Sequence, residues 1–396
     1  MGVYNLIGER LDDTISIKSY FVDEMSNTLE KVRAEVTEPC LVFPVVTDMH
    51  CYSEGVTQTF EQMSDNIAKF CELLECDFVA NLGDSIDGMS AQATSLQQAA
   101  AITDGFRKVK APYIYAQGNH DNNPYTSGGS FSNLEFNIAQ CFKAFFLNTR
   151  DVVVNFSENG TDYYFDVPGI GIRVVVLNSS NVKVAKNYSF GTTTASWLEN
   201  TAFDTASTVL LLEHISSISS QVWNNTAGSN YTTIKGKIQD FVNGGGKLVQ
   251  IMGHSHVDLA FVTPWLAVSM VCQKCQQANT TTTEMQKISG YIDVMGSPSR
   301  TAGTATEDAW TVCVLKPNSM ELATIRFGAG VDRYFHYEPI APTTLTSKLT
   351  SPTWSSSNES VATVSGGVVT GVASGTCAIL AKDTTGNYEA WIVTVS

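Results

Sequence analysis

Five of the six histidines in this chain stand directly after short apolar runs, in the company of Asp, Asn or Gly. Runs of this kind predict buried strands. In open α/β sheets ligands bind outside the carboxyl ends of the strands, so the placement predicts one polar site built from several strand ends. The five blocks are Thr47-Asp48-Met49-His50, Gly83-Asp84 with Asp87, Gly118-Asn119-His120-Asp121, Glu213-His214, and Gly253-His254-Ser255-His256.

The order of the predicted elements favours an α/β fold, because strands and amphipathic helices alternate in the first half of the chain. Predicted there are helices at 19–33, 60–74, 91–108 and 134–146, and strands at 41–46, 78–82 and 113–116. Later apolar runs predict a second sheet. Its strands are expected at 152–156, 163–167, 173–177, 209–212 and 247–252.

The composition shifts after Tyr337, where two X-Pro pairs and a Thr/Ser-rich stretch read as a linker. Short alternating segments separated by glycine turns follow and predict a small all-β domain. We therefore divide the chain into an N-terminal helical extension (1–38), a core domain (39–337), a linker (338–352) and the all-β domain (353–396, with strands that could begin near 342).

The charge and hydropathy exclude several classes of partner. The chain has 39 Asp and Glu against 24 Lys and Arg, a formal net charge of -15. Such a surface repels phosphate backbones, so we expect no nucleic-acid polymer as a partner. No apolar run approaches the roughly 20 residues that span a bilayer. The first 20 residues have acids and no apolar core, unlike a secretory signal, so we expect the mature chain to start here.

The nine cysteines are odd in number and spread over predicted strands and helices, which does not indicate a disulfide framework. A reducing compartment fits this usage. Cys272 and Cys275 form the only C-x-x-C, and no second pair follows to complete a zinc site. We interpret them as buried thiols on a strand and leave any further role open.

The spacing within the blocks suits metal binding. Residues two apart on an extended segment point the same way, so Asp48 with His50, and His254 with His256, can each present two ligands to one pocket. Imidazole and carboxylate are ligands of Zn, Mn, Fe and Ni. A lone histidine at such a place is more often a core residue, but five strand ends with matching donors favour a metal site.

Read in order, the blocks give D-x-H, G-D-x-x-D, G-N-H-D, H and G-H-x-H. This order closely resembles the calcineurin-like metallophosphoesterase superfamily over about residues 40–330. The resemblance implies a two-sheet β-sandwich flanked by helices and a centre of two divalent transition-metal ions, Mn, Fe, Zn or Ni. It implies that Asp84 bridges the ions, that one ion takes Asp48, His50 and His256, and that the other takes Asn119, His214 and His254.

The resemblance also implies the chemistry, which is hydrolysis of a phosphoester as a phosphatase or phosphodiesterase. Two cations roughly 3.5 to 4 Å apart acidify a shared water to a bridging hydroxide and bind the phosphoryl oxygens. His120 would lie beside the leaving group and stabilise or protonate it. Asp87 would hold and charge that imidazole, unless it is simply an exposed loop acid. Asp121 would share this role or cap the following turn.

Three departures from the family pattern narrow the interpretation. The protein Ser/Thr phosphatase branch has Arg after the second acid of G-D-x-x-D and Glu after G-N-H, where this chain has Gly88 and Asp121. We therefore do not expect a protein phosphatase. Many relatives have Pro two residues after the fourth-block histidine, whereas Ser216 stands there. This makes His214 the weakest ligand assignment. His336 is outside every block, and we interpret it as structural.

The C-terminal segment, about residues 342–396, resembles a short bacterial immunoglobulin-like (group 2) domain. The segment carries Thr353-Trp354-Ser355, Val361-Ala362-Thr363-Val364 and Gly367-Val368-Val369-Thr370-Gly371. Such modules imply attachment to a cell surface or virion partner. A phage-particle protein would reconcile this with the absence of a secretory signal. The location is thus left open between cytoplasm, phage particle and a cell surface reached by another export route.

Two functional hypotheses follow. The first is a metal-dependent phosphoester hydrolase positioned by its Ig-like module, and the second is a structural or adhesion protein that uses the same fold as a scaffold. The intact ligand set favours the hydrolase. The acidic surface favours a small phosphoester or a phosphorylated surface polymer as substrate. Residues beside the blocks are expected to contact it, namely Tyr52, Asn122 and Asn123, with Glu54 and Tyr125 nearby.

Overall fold

A computed structural model describes most of the chain, and the side-chain statements below concern that part. The described residues are 15–51, 60–124, 136, 140, 145, 155–157, 161–180, 190–217, 230–262, 265–269, 291–295 and 300–396. The helix predicted at 134–146, the pair Cys272 and Cys275, and Tyr52, Glu54 and Tyr125 lie outside the described residues, apart from single positions within 134–146.

Two large sheets form the framework of the described part. The first sheet begins with three mutually parallel strands, and antiparallel strands extend it at one side. Its strands are β1 (Leu41–Val46), β2 (Val79–Asn81), β3 (Tyr113–Tyr115), β12 (Ala309–Lys316), β13 (Glu321–Gly328), β14 (Arg333–Ile340), β15 (Thr353–Ser356), β18 (Gly375–Lys382) and β19 (Tyr388–Val395). Their order across the sheet is β15-β18-β19-β14-β13-β12-β1-β2-β3.

The second sheet is built around three parallel strands whose ends face the same way as those of β1 to β3. Its strands are β4 (Asn155–Phe156), β5 (Tyr163–Val167), β6 (Ile172–Leu177), β7 (Thr208–Glu213), β8 (Leu248–Met252), β9 (Asp258–Val262), β10 (Leu266–Ser269) and β11 (Tyr291–Met295). Their order is β11-β9-β10-β8-β7-β6-β5-β4. The central strands β6, β7 and β8 are buried along their whole length, as their continuous apolar runs require.

Helices pack on the two sheets, and the largest apolar cluster joins the first sheet to the first three helices and to residues of the second sheet. The helices are α1 (Val22–Glu35), α2 (Phe60–Leu73), α3 (Gln92–Phe106), α4 (Thr194–Trp197) and α5 (Tyr231–Asn243). Met25, Leu29 and Val32 of α1 belong to the main core, and Ile234 and Ile238 of α5 pack on the outer face of the second sheet. The two-sheet α/β fold expected from the sequence is confirmed.

The C-terminal region is all-β, with a separate hairpin of β16 (Ala362–Ser365) and β17 (Val368–Gly371). The predicted boundary after residue 337 does not coincide with a break in structure, because β14 continues to Ile340 and pairs in parallel with β19. The C-terminal strands therefore extend the first sheet. The sequence could not show this, since the pairing joins segments about 50 residues apart. The division into domains stays a prediction.

The histidine outside the blocks belongs to this junction. The ring of His336 stacks on Trp391, with ring centroids 4.8 Å apart, and its Nε2 lies 2.8 Å from Oε1 of Glu389. It thus links β14 to β19, and its packing supports the structural interpretation. No helix in the described part of the chain combines the length and apolar character needed to cross a bilayer.

Candidate metal centre

The first two blocks lie side by side at the carboxyl ends of β1 and β2. Three backbone hydrogen bonds of 2.9 Å join them, from the N–H groups of Asp48, His50 and Cys51 to the carbonyls of residues 83, 84 and 85. This ladder continues the parallel pairing of β1 and β2 beyond the strand ends. As a result the side chains of Asp48, His50 and Asp84 are presented from a common edge.

Five of the proposed ligands have left-handed backbone conformations, which are uncommon for residues other than glycine. The φ angles are 52° at Asp48, 41° at His50, 50° at Asp84, 68° at His254 and 56° at His256. Such conformations cost free energy and persist only where the surroundings enforce them, most often at functional sites. Their concentration in three blocks is a second mark of function beside the donor chemistry of the side chains.

Glycines let the blocks approach one another. A Cβ on Gly118 would overlap the backbone N of Asp84, and a Cβ on Gly253 would overlap the hydroxyl of Thr47. Gly83 has a φ of +92°, and a Cβ there would overlap the backbone of Gly118 in the third block. The glycines of the blocks therefore allow close contact between the loops of the site.

The side chains gather into three overlapping groups in which the candidate ligand atoms lie within 4.8 Å of one another, and the least buried of them contains His50, Asp87 and His120. The other two groups are more deeply buried. One contains Asp48, His50, Asp84 and His256, and the other contains Asp84, His214 and His254. Asp84 belongs to both groups. Its Oδ2 lies 3.1 Å from Nε2 of His214 and 3.7 Å from Nε2 of His50.

The two sheets meet at Asp48. The backbone N–H of His254 donates to both carboxylate oxygens of Asp48, at 3.0 and 2.9 Å, and Nε2 of His256 lies 3.3 Å from Oδ1. Nε2 of His50 is 3.2 Å from Nε2 of His256. The fifth block, which follows β8 of the second sheet, is thus joined to the first block, which follows β1.

His214, the least certain ligand from the sequence, is fully buried in the centre of the site. Its Nδ1–H donates to the carbonyl of Leu82 at 2.7 Å, which fixes the ring. Nε2 then faces Oδ1 of Asn119 at 3.1 Å and Oδ2 of Asp84 at 3.1 Å. Ser216 stands where many relatives have proline, and His214 still lies among the other donors. The N–H of Ile215 donates to the hydroxyl of Ser179 at 2.8 Å.

The charges of the buried carboxylates and imidazoles favour the binding of a cation. Burial raises the pKa of Asp84, but the charge of His214 and other imidazoles outweighs burial and holds that pKa well below its usual range. Burial likewise lowers the pKa of His214, yet the Asp84 carboxylate prevails and raises it to about 9. Burial and the charge of His214 lower the pKa of His254 to about 3. A proton on His214 therefore occupies the place between oxygen and nitrogen donors where a metal ion would fit.

His120 is oriented by a different contact from the one expected. Its Nδ1–H donates to the backbone carbonyl of Asp87 at 2.7 Å, whereas the Asp87 carboxylate lies 3.4 Å from Nδ1 of His50. The left-handed turn at Gly88 brings the chain against His120 and explains the substitution of carbonyl for carboxylate. Burial, the largest influence, lowers the pKa of His120. Its backbone N–H donates to Oδ1 of Asp84 at 2.7 Å.

Of the residues expected to contact substrate, Asn123 has a structural role instead. It is fully buried with a φ of 58°, its Oδ1 accepts from Ser95, and its Nδ2 donates to the carbonyl of Ser90. It therefore anchors the loop before α3. Asn122 is also buried, and within the described residues its Oδ1 has no hydrogen-bond partner.

One strand end escaped the sequence analysis. After β6, Asn178 donates to Oε1 of Gln117 at 3.2 Å and joins the two sheets beside the metal ligands. Ser179 supports the His214 loop through Ile215, as described above. The signal was present, since Leu177-Asn178-Ser179-Ser180 is another polar block after an apolar run, but it contains neither histidine nor acid.

A family model described as calcineurin-like phosphoesterase matches residues 42–258, which is more than half of the 396 residues. The chain belongs to this family. The matched range begins in β1 and ends just beyond the G-H-x-H block, so it contains every proposed ligand. No protein with a curated description matches the sequence significantly.

Several solved structures are similar to this chain at low sequence identity. Purple acid phosphatase PPD1 from yellow lupin (Lupinus luteus) seeds has 12% identity and a TM-score of 0.45, over 73% of this chain and 52% of that one. GAP50, described as the anchor in the inner membrane complex of Plasmodium, has 11% identity and a TM-score of 0.40, over 72% and 83%. The NAD nucleotidase of Haemophilus influenzae has 13% identity and a TM-score of 0.38, over 88% and 53%. This chain spans about half the length of the lupin protein.

The donor set fits divalent transition metals. Two buried carboxylates with lowered pKa values stand among imidazoles and the amide oxygen of Asn119, and a mixture of nitrogen and hard oxygen donors suits Mn, Fe, Zn or Ni. Buried ionised carboxylates need a compensating cation. The described residues therefore include a buried cluster that could hold such ions.

Proposed function

We propose that the protein is a metal-dependent phosphoester hydrolase with two metal ions. The observation that carries this proposal is that Asp84 belongs to two buried donor groups at once. Asp48, His50 and His256 would hold one ion, Asn119, His214 and His254 the other, and Asp84 would bridge them. When bound, the ions would supply Lewis acidity for the phosphoryl group and acidify a shared water.

The chain's own residues would then position the reaction. The carbonyl of Asp87 holds Nδ1–H of His120, so Nε2 is the nitrogen that would exchange a proton with the leaving group. The backbone N–H of His120 donates to Asp84, which ties the position of this imidazole to that of the bridging carboxylate. Asp87 would act on His50 through its carboxylate and on His120 through its carbonyl.

Metal analysis and hydrolysis assays test this function. Purified protein should contain about two transition-metal ions per chain and hydrolyse p-nitrophenyl phosphate, bis-p-nitrophenyl phosphate or both. Asp84→Asn should lose metal and activity together. His120→Ala should keep its metal and lose about 10²- to 10⁴-fold in kcat, the usual contribution of an acid or base. His336→Ala, a histidine variant at the β14–β19 junction, is the matched control.

A failure would favour the scaffold hypothesis. Protein that binds no metal and hydrolyses neither ester after Mn, Fe, Ni and Zn have been supplied would be a structural or adhesion protein built on this fold. The resemblance of the C-terminal residues to an Ig-like module supports attachment to a surface or virion in either case. The acidic chain favours a small phosphoester or a phosphorylated surface polymer over DNA or RNA.

A further inference from the structure

One buried carboxylate beside the centre contacts two of the ligand blocks without being a ligand in the proposed set. Asp121 is fully buried, and its Oδ1 accepts from the N–H groups of Ser85 at 2.7 Å and Ile86 at 3.3 Å. Its Oδ2 accepts from the phenol of Tyr115 at 2.6 Å and from the N–H of Gly118 at 3.0 Å. All four acceptor positions of the carboxylate are therefore used.

Buried side chains fix the backbone on both sides of Asp84, Asp121 on one side and Asn81 on the other. Ser85 follows Asp84 directly, and its N–H is held by Asp121. Gly83 precedes Asp84, and its N–H donates to Oδ1 of Asn81 at 3.0 Å. The strained residue Asp84, with a φ of 50°, thus stands between two neighbours whose backbones are fixed by buried side chains.

The side chains of Asn81 and Asp121, which hold these backbones, are themselves bonded to strand residues. Nδ2 of Asn81 donates to the phenol of Tyr113 at 2.7 Å. The backbone N–H and carbonyl of Tyr115 both bond to the phenol of Tyr163, at 2.9 and 2.8 Å, and Tyr163 belongs to the second sheet. The chain of contacts from Tyr163 through Tyr115 to Asp121 therefore connects the second sheet to the loops of the first.

We propose that Asp121 is a positioning residue that holds Asp84 in its metal-bridging conformation, a role that rests on the proposed function. An aspartate leaves the left-handed backbone conformation unless its surroundings hold it there. The four hydrogen bonds to Asp121 hold Asp84 in that conformation. The contact with Gly118 closes the turn of the third block that precedes Asp121, whereas the role expected from the sequence was a cap on the following turn. The hydrogen bonds from the N–H groups of Ser85 and Ile86 do more than cap a turn, because they join the second block to the third.

Asp121→Asn is the informative substitution. An amide has one acceptor oxygen, and its NH₂ group would face either the two N–H donors of residues 85 and 86 or the donors of Tyr115 and Gly118. In either orientation the NH₂ group would face other hydrogen-bond donors and could not accept from them, although the side chain keeps its size. Tyr115→Phe is the milder variant, since it removes one of the four bonds and leaves the carboxylate in place.

The control is a carboxylate that bonds a backbone N–H far from the site. Asp77 accepts from the N–H of Val42 at 2.8 Å, near the start of β1, whereas the ligands follow its end. Asp77→Asn should lower thermal stability without changing metal affinity. This comparison separates a positioning role from general destabilisation.

Calorimetric titration of chelator-treated protein with Mn²⁺ or Zn²⁺, well below the unfolding temperature, provides the measurement. Asp121→Asn should bind the ions about 10- to 100-fold more weakly than wild type, as is usual when an outer partner of a ligand is lost. Tyr115→Phe should lose about 3- to 10-fold, as expected for one hydrogen bond. At saturating metal, kcat for bis-p-nitrophenyl phosphate should fall more than KM rises.

The two proposals fail in different ways. Wild-type protein that binds no metal would refute the proposed function. Wild type that binds metal, with Asp121→Asn and Tyr115→Phe both within about 2-fold of it, would refute the positioning role alone. If Asp121→Asn does not fold, Tyr115→Phe decides the question by the same titration.

Discussion

Glu213→Gln should change how the stability of this protein depends on pH. Glu213 ends β7 and is fully buried. Its Oε1 accepts from the N–H of Ser217 and from Nε2 of Gln250, whose Oε1 in turn accepts from Trp265 at 2.8 Å. Burial, the largest influence, raises the pKa of Glu213 to about 8. The folded protein therefore holds this carboxyl in its neutral form at pH 7.

The magnitude follows from linkage. An unfolded glutamate ionises near its model value of 4.5, so between pH 4.5 and about 8 the folded state binds one more proton than the unfolded state. The free energy of unfolding must then fall as pH rises, by about 1.4 kcal/mol per pH unit from this group. Between pH 5 and 7 the loss is about 2 to 3 kcal/mol, and the full window gives about 5 kcal/mol.

Glutamine is neutral at every pH and keeps an acceptor for Ser217 and Gln250, so the variant should lose this slope. Urea denaturation with excess chelator at pH 5.5, 6.5 and 7.5 measures it for both proteins. From pH 5.5 to pH 7.5 the free energy of unfolding of the variant should rise by about 2 to 3 kcal/mol relative to that of wild type. Glu359→Gln, at an exposed position, serves as control. Parallel loss of stability in wild type and Glu213→Gln would refute a protonated Glu213.

Three further predictions concern the packing and the ligands. Gly118→Ala should abolish metal binding, because its Cβ would overlap the carboxylate of Asp84. The control is Gly236→Ala in α5, where the added Cβ meets open space. This control should stabilise the protein by up to about 1 kcal/mol in thermal unfolding. Asp258→Asn should cost about 3 to 5 kcal/mol in denaturant titration, because Arg326, buried 2.5 Å from its carboxylate, would lose its counter-charge. Asp87→Asn should weaken metal binding more than His120→Ala does, because the carboxylate of Asp87 lies against His50. Equal metal affinity in Asp87→Asn and wild type would contradict that contact.

Local sequence was sufficient for most elements, and it named the donor residues that the structure brings together. The run Leu41–Val46 is a strand with the predicted bounds, because six consecutive apolar residues followed by a polar block leave little choice. The predicted helices at 60–74 and 91–108 are present as Phe60–Leu73 and Gln92–Phe106. Asp48 and Asp84 meet because the parallel strands β1 and β2 end at a common edge, which the order of the blocks already implied. His254 reaches them from the second sheet.

Contacts between distant segments could not be read in this way. The sequence placed Asp87 beside His120 but could not show that its backbone carbonyl makes the hydrogen bond to the ring, while its carboxylate lies between His120 and His50. Likewise the predicted linker after residue 337 gave no sign that β14 would pair with β19. Side-chain direction and strand pairing depend on the backbone path of remote residues, and composition does not encode that path.

The sequence by itself determined the fold class, the family and the residue types at the centre, because each depends on short-range patterns and their order. Only the tertiary structure decided that Asp121 joins two blocks and that Asp84 shares two groups of donors. It also revealed that five of the proposed ligands adopt strained, left-handed conformations. Strain of this kind is stable only when buried hydrogen bonds from several strands act on the same few residues, and those bonds exist only once both sheets are in place.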